Sequence, residues 1–220
     1  MQINGIDIKL LHHDSVKIKN DKIVYIDPYQ IDGEKADIIL ITHEHQDHLS
    51  IDDLTKLIKD DTILVATQNC LSKLTRFETA KIKIVKPGSI LEIDNIHIKA
   101  VPAYNLNKFR SPNLVFHPKE DENVGYVLTI NNTNIYHAGD TDNIPELTNL
   151  KNIDIALIPV SGTYVMTWQE AVEAVKIIRP KLAIPMHYDT EHHGNMIGSK
   201  QDAENFKKAL ENTTKVEILI

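Results

Sequence analysis

Thr42-His43-Glu44-His45-Gln46-Asp47-His48-Leu49 places four metal-capable side chains, His43, His45, Asp47 and His48, within six positions. The apolar, β-branched run Ile38-Ile39-Leu40-Ile41-Thr42 leads straight into them and predicts a buried strand. The donors come where that strand gives way to a loop. A strand fixes where the loop starts, and a short loop turns several side chains toward one point. Imidazole with carboxylate suits zinc, manganese or iron, whereas calcium and magnesium take oxygen donors. A solvated, histidine-rich loop is the competing explanation, and four coordinating groups directly behind a core strand weigh against it.

Outward from that motif, the chain reads as one domain over residues 1–220, long enough for a substantial core. Hydrophobic residues make up 42% and charged residues 25%, the balance of a globular protein that stays in water. A net charge of −7 argues against nucleic acid as a partner held by bulk positive potential, although Lys108 and Arg110 are candidates for a local basic patch. Cys70 is the single cysteine. It excludes an internal disulfide and, with no histidine beside it, reads as a small buried side chain. No basic start followed by an apolar run opens the chain, and no window approaches the ~20 apolar residues of a membrane span. The expected location is cytoplasmic, without a membrane partner.

Before the motif, residues 6–11, 16–19 and 23–26 predict an antiparallel meander, with His12-His13-Asp14-Ser15 between its first two strands and Asp27-Pro28 at its end. After it, Ser50 is a candidate N-cap for a helix over 51–58. Strands follow over 62–66 and 81–85, with a helix over 68–75 between them, and a hairpin over 89–93 and 96–101 turns at Asp94-Asn95. His97 alternates with Ile96 and Ile98 and falls on the solvent side. Residues 104–122 form the one long irregular stretch, the kind that carries function. Strands over 124–130 and 134–137 turn at Asn131-Asn132. The rest predicts a strand over 154–160, an amphipathic helix over 167–178 ended by Pro180, a strand over 182–188, a helix over 201–211 and a last strand over 216–219. Two sheets packed face to face with helices outside both, a four-layer αββα sandwich of the α/β class, suit this order.

His-x-His-x-Asp-His after a hydrophobic strand resembles the signature of the metallo-β-lactamase fold superfamily. Tyr136-His137-Ala138-Gly139-Asp140-Thr141 and Pro185-Met186-His187-Tyr188 extend the resemblance to nearly the whole chain, in the expected order. They are most similar to hallmarks of its ascorbate-phosphate lactonase-like hydrolases. That resemblance implies two divalent ions, zinc or manganese with iron also compatible. His43 and His45 would belong to one ion, Asp47, His48 and His187 to the second, and Asp140 would bridge. It implies hydrolysis of a small-molecule ester, lactone or phosphodiester by a metal-activated hydroxide, with Asp47 and Asp140 as catalytic carboxylates. His13 matches a histidine of a Gly-His-(Ala/Ser)-Ser turn, at the mouth of the active site. Asp27 is a candidate acceptor for a ligating histidine, and His137 a supporting side chain rather than a ligand. Two other functions stay open: a metal-binding or sensor protein without turnover, and a nuclease, for whose usual inserted domain 220 residues leave no room. Homo-oligomer formation also stays open, and specificity is expected to depend on 104–122 and on His192-His193.

The chain departs from its family at one ligand. A histidine commonly follows the central hairpin, and here the matching stretch is Val101-Pro102-Ala103-Tyr104-Asn105. An amide oxygen is a much poorer zinc ligand than imidazole. Either the first ion is weak or absent, or His117, twelve residues on in Phe116-His117-Pro118, folds back to replace the missing ligand. Replacement is the expectation taken here; an exposed, idle His117 is the alternative.

Overall fold

The computed structural model describes residues 1–192 and 194–219, so of the pair His192-His193 the second lies outside the described residues, as does the side chain of the first. Met1–Lys86 and Pro87–Leu219 are two compact units. No helix among the described residues is long and apolar enough to cross a membrane.

In Met1–Lys86, strands β1 (Gln2–Ile3), β2 (Ile6–His12), β3 (Ser15–Lys19), β4 (Ile23–Ile26), β5 (Ile38–Leu40), β6 (Ile63–Thr67) and β7 (Lys81–Val85) lie in sequence order across one sheet. The first four pair antiparallel and β4 to β7 pair in parallel. Every residue of β5 is fully buried. Burying one such side chain contributes roughly 1.5–3 kcal/mol, so even a three-residue strand between two neighbours is held firmly. Helix α1 (Ile51–Leu57) follows the metal-motif loop, with Ser50 Oγ accepting from Asp53 N as its N-cap. Its Leu54 and Leu57 pack with Tyr25, Ile39, Ile41 and Leu64. The helix expected over 68–75 is a 3₁₀ turn, Gln68–Cys70, followed by the single turn α2 (Leu71–Leu74).

The β5 ladder stops short of the sequence expectation. Ile41 N still donates to Val65 O at 2.8 Å, but Thr42 N donates to Asp27 Oδ1 at 2.8 Å. A side chain has taken the place of a neighbouring strand, and the loop is free to turn.

In Pro87–Leu219, β8 (Ile90–Ile93) and β9 (Ile96–Pro102) form the expected hairpin, with Asp94 and Asn95 at φ 49° and 63°. That is the turn geometry Asn and Asp tolerate best after glycine. The stretch over 104–122 is less irregular than expected. It holds a small hairpin, β10 (Phe109–Ser111) with β11 (Leu114–Val115), and a 3₁₀ turn at Lys119–Asp121. Pro112 followed by Asn113 at φ 64° supplies the turn chemistry. β12 (Val124–Ile130) pairs antiparallel with β9 and with β13 (Thr133–His137). From β13 the sheet continues in parallel through β14 (Ile155–Pro159) and β15 (Leu182–Met186). A second small hairpin, β16 (Thr190–His192) with β17 (Asn195–Ile197), precedes β18 (Lys215–Val216), which closes the parallel edge beside β15. Helix α3 (Trp168–Ile178) starts in a capping box of Thr167 and Glu170 and buries Ala171, Val172, Ala174, Val175 and Ile178. Helix α4 (Lys200–Ala209) starts in a second box, of Ser199 and Asp202. Both units therefore run from an antiparallel meander into parallel strands, and crevices at the carboxyl ends of parallel strands are where open α/β sheets bind ligands.

Candidate metal centre

Within Met1–Lys86 the donors sit past the carboxyl ends of β2 and β5. Leu49 N donates to His45 O at 2.7 Å, closing a turn that gathers the loop. His43 Nε2 lies 3.0 Å from His45 Nδ1. Asp47 Oδ2 lies 3.3 Å from His13 Nε2 and 3.8 Å from His48 Nε2. Two donor sets result, His43 with His45 and His13 with Asp47 and His48, each with its ligand atoms within 4.8 Å of one another. His13 is buried at φ 53° rather than in a surface turn.

Asp27 organises both sets. Its carboxylate accepts from Thr42 N, from Thr42 Oγ1 at 2.6 Å and from His48 Nδ1 at 2.8 Å. With its proton given to Asp27, the Thr42 hydroxyl accepts from His43 Nδ1 at 3.0 Å. Both rings are thus held in the tautomer that leaves Nε2 unprotonated, which is how outer hydrogen bonds orient metal-binding histidines. The sequence marked Asp27 as such an acceptor. It gave no sign that Thr42 would relay the contact to His43. Asp14, read only as part of a turn, is fully buried with a carboxylate oxygen within 4.8 Å of a His48 ring nitrogen.

Within Pro87–Leu219 the donors follow β13, β15 and the hairpin of 104–122. Asp140 Oδ2 lies 3.3 Å from His117 Nε2, and Asp140 Oδ1 lies 3.5 Å from His187 Nε2. One carboxylate therefore faces a different histidine with each oxygen. His187 leaves β15 at φ 59°, and its Nδ1 is 2.8 Å from Ser161 Oγ, just past β14. His117 is buried rather than exposed, and Asn105 Oδ1 lies 2.9 Å from its Nδ1. His137 accepts from Gly139 N through Nδ1 at 3.2 Å and is in no donor set among the described residues.

Asp142, two residues past Asp140, pins the start of the long loop. It accepts from Leu106 N at 2.6 Å, Asn107 N at 3.0 Å and Asn105 Nδ2 at 3.2 Å. Lys108 is not part of a basic surface patch, because it is buried and ion-paired to Asp142 and to Glu170 on α3. Burial would raise the Glu170 carboxyl, but hydrogen bonds from Lys108, Thr167 N and Asn107 outweigh it and bring the group down to about 2. Cys70 is buried beside Thr67, and burial pushes its thiol up to about 11. A thiol that weakly acidic is no nucleophile at neutral pH.

Clustered imidazoles and carboxylates, with Nδ1 of His43, His48, His117 and His187 already hydrogen-bonded, fit a divalent metal ion. Comparison with known proteins agrees with that chemistry. A family model described as a beta-lactamase superfamily domain matches residues 7–187. A UPF0173 metal-dependent hydrolase of Thermoplasma acidophilum is 32% identical over 94% of this chain and 92% of its own. The crystal structure of a Parabacteroides distasonis protein, named as a metal-dependent hydrolase, is 34% identical, covers 97% of this chain and 92% of its own, and superposes with a TM-score of 0.81. Igni18, a metallo hydrolase from Ignicoccus hospitalis, shares the fold at 21% identity and a TM-score of 0.76, over 97% of this chain and 94% of its own. The β5 loop, the Gly-Asp tip after β13 and the histidine after β15 are thus set in the metallo-β-lactamase fold, and the chain belongs to the UPF0173 metal-dependent hydrolases of that superfamily.

Proposed function

We propose that the protein hydrolyses a small-molecule ester, lactone or phosphodiester with two divalent ions, zinc or manganese. The observation that carries this is Asp140, whose two oxygens face two different histidines, as a carboxylate shared by two ions requires. The family pattern assigns His43 and His45 to one ion and Asp47, His48 and His187 to the other. His117 joins the first set in place of the histidine absent at Asn105.

Such an ion pair acidifies water and polarises a carbonyl or phosphoryl oxygen. The chain supplies the handling of the proton. Asp47 Oδ2, 3.3 Å from His13 Nε2, would take up the proton that the attacking water gives off. Asp27 holds the His48 ring still while this happens.

Metal analysis of reconstituted protein tests the proposal. Two ions per chain are expected, falling to one or none in Asp140→Ala. A chelator should abolish turnover on ester, lactone and phosphodiester panels, and added manganese or zinc should restore it. A ceiling of one ion that Asp140→Ala leaves unchanged would sink the shared carboxylate. Two tightly bound ions without turnover on any panel would make this a metal-binding protein instead.

A further inference from the structure

We propose that Asn105 is a positioning residue that fixes His117 in the Nδ1–H tautomer and so presents Nε2 to the ion. It stands where the family supplies a ligand, but its place in the hydrogen-bond network gives it a different task.

The orientation of its amide follows from partners whose roles are unambiguous. Asn105 Oδ1 lies 3.0 Å from His117 N, a backbone N–H that only donates. Asn105 Nδ2 lies 3.0 Å from Tyr164 O, a carbonyl that only accepts, and 3.2 Å from the Asp142 carboxylate. Both ends of the amide therefore agree on which atom is oxygen. That oxygen also lies 2.9 Å from His117 Nδ1, so Nδ1 must carry the proton. A neutral imidazole protonated at Nδ1 has its lone pair at Nε2. Nε2 is the atom 3.3 Å from Asp140 Oδ2.

The arrangement is rigid as well as directional. Asn105 N donates to His117 O at 2.8 Å, so the two residues are linked through both backbones as well as the ring. Asn105 is 5% exposed and His117 1% exposed, so bulk water does not compete for these bonds. The imidazole is thus supplied twelve residues late and held by the residue it replaces.

The inference rests on the proposal that His117 holds an ion, and the test keeps the two apart. Long-range ¹H–¹⁵N correlation spectra of the zinc-loaded protein should show His117 protonated at Nδ1 and coordinated through Nε2. Coordination through Nδ1 would overturn the inference alone, whereas an uncoordinated ring would overturn the ligand role of His117 on which it rests. In Asn105→Ala the affinity for one of the two zinc ions should fall roughly 10–100-fold. The His187 ring signals should stay unchanged and serve as the check that the fold persists. Unchanged affinity for both ions would refute the positioning role. Correct tautomer and affinities with no hydrolysis would count against the proposed activity and leave this inference standing.

Discussion

Asp27 follows β4 at φ 46°, a left-handed geometry that aspartate tolerates better than most residues, and its fully buried carboxylate meets a demand for acceptors. The demand here is threefold, from Thr42 N, Thr42 Oγ1 and His48 Nδ1. Asp27→Ala strands these donors in a dry interior at a cost of about 1–3 kcal/mol. It should also weaken zinc binding roughly 10–100-fold, because His48 and His43 are then free to rotate and to change tautomer. Thermal denaturation and a zinc titration measure the two effects separately. A normal titration with a lowered melting temperature would mean that the carboxylate serves the fold alone. The candidacy of Asp27 was legible from the resemblance of Asp27-Pro28 to the family pattern, although Asp-Pro is also common in plain strand-end turns. Its partners were not. The pairing of β4 with β5 sets Asp27 beside Thr42 across fifteen residues of sequence, and only the sheet register decides that contact. Asp14 escaped for a similar reason, since a polar residue between two strands looks like a turn until burial is known.

The loop that begins at Asn105 is tied down at its first four residues by Asp142, Lys108 and Glu170. Glu170 falls from an ordinary value of 4.5 to about 2 in the folded protein. A carboxylate depressed by folding stabilises above its unfolded value, and that stabilisation is lost as pH falls from 4.5 toward 2. The melting-temperature advantage of the parent over Glu170→Gln should therefore be full at neutral pH and shrink through that window. A gap of constant size from pH ~6 to ~3 would contradict the assignment. β12 offers a second test. A Cβ on Gly125 would meet Ala138 O at 2.6 Å and His137 O at 2.7 Å, backbone atoms at the end of the strand that carries Asp140. Gly125→Ala should cost about 1–3 kcal/mol as overpacking and reduce metal loading. Calorimetry with elemental analysis would show both, and normal stability would contradict the close approach. Of these elements, α3 was legible to within one residue because its apolar stripe is regular and Pro180 stops it. The hairpin of β10 and β11 was not, because its strands are short and exposed, with Phe109 at 55% and Leu114 at 43%, and leave no alternation to read.

Across the whole molecule, binding two ions should be visible as stability. Each ion at about one hundred times its dissociation constant adds roughly 2.7 kcal/mol. Two ions should raise the melting temperature of a chain this size by on the order of 10–20 °C, and a chelator should reverse the shift. No shift with metal in large excess would mean that the folded chain binds no ion. β-Lactam antibiotics should be turned over negligibly, since the motifs resemble the lactonase-like branch; efficient β-lactam hydrolysis with no activity on the other panels would overturn that expectation. The general plan was readable because each motif directly follows an apolar strand. The two sheets share one order, a meander that passes into parallel strands, and each leaves its chemistry to the loops at the strand ends. Such a scaffold does not tie a coordinating atom to one column of an alignment. Scored column by column, Asn105 breaks the ligand pattern that the family resemblance implies; on the proposed reading His117 supplies that imidazole from along the loop, anchored by the Asn105 amide. Inventories of active and degenerate relatives that count ligands only at fixed columns would file such a chain among the inactive ones.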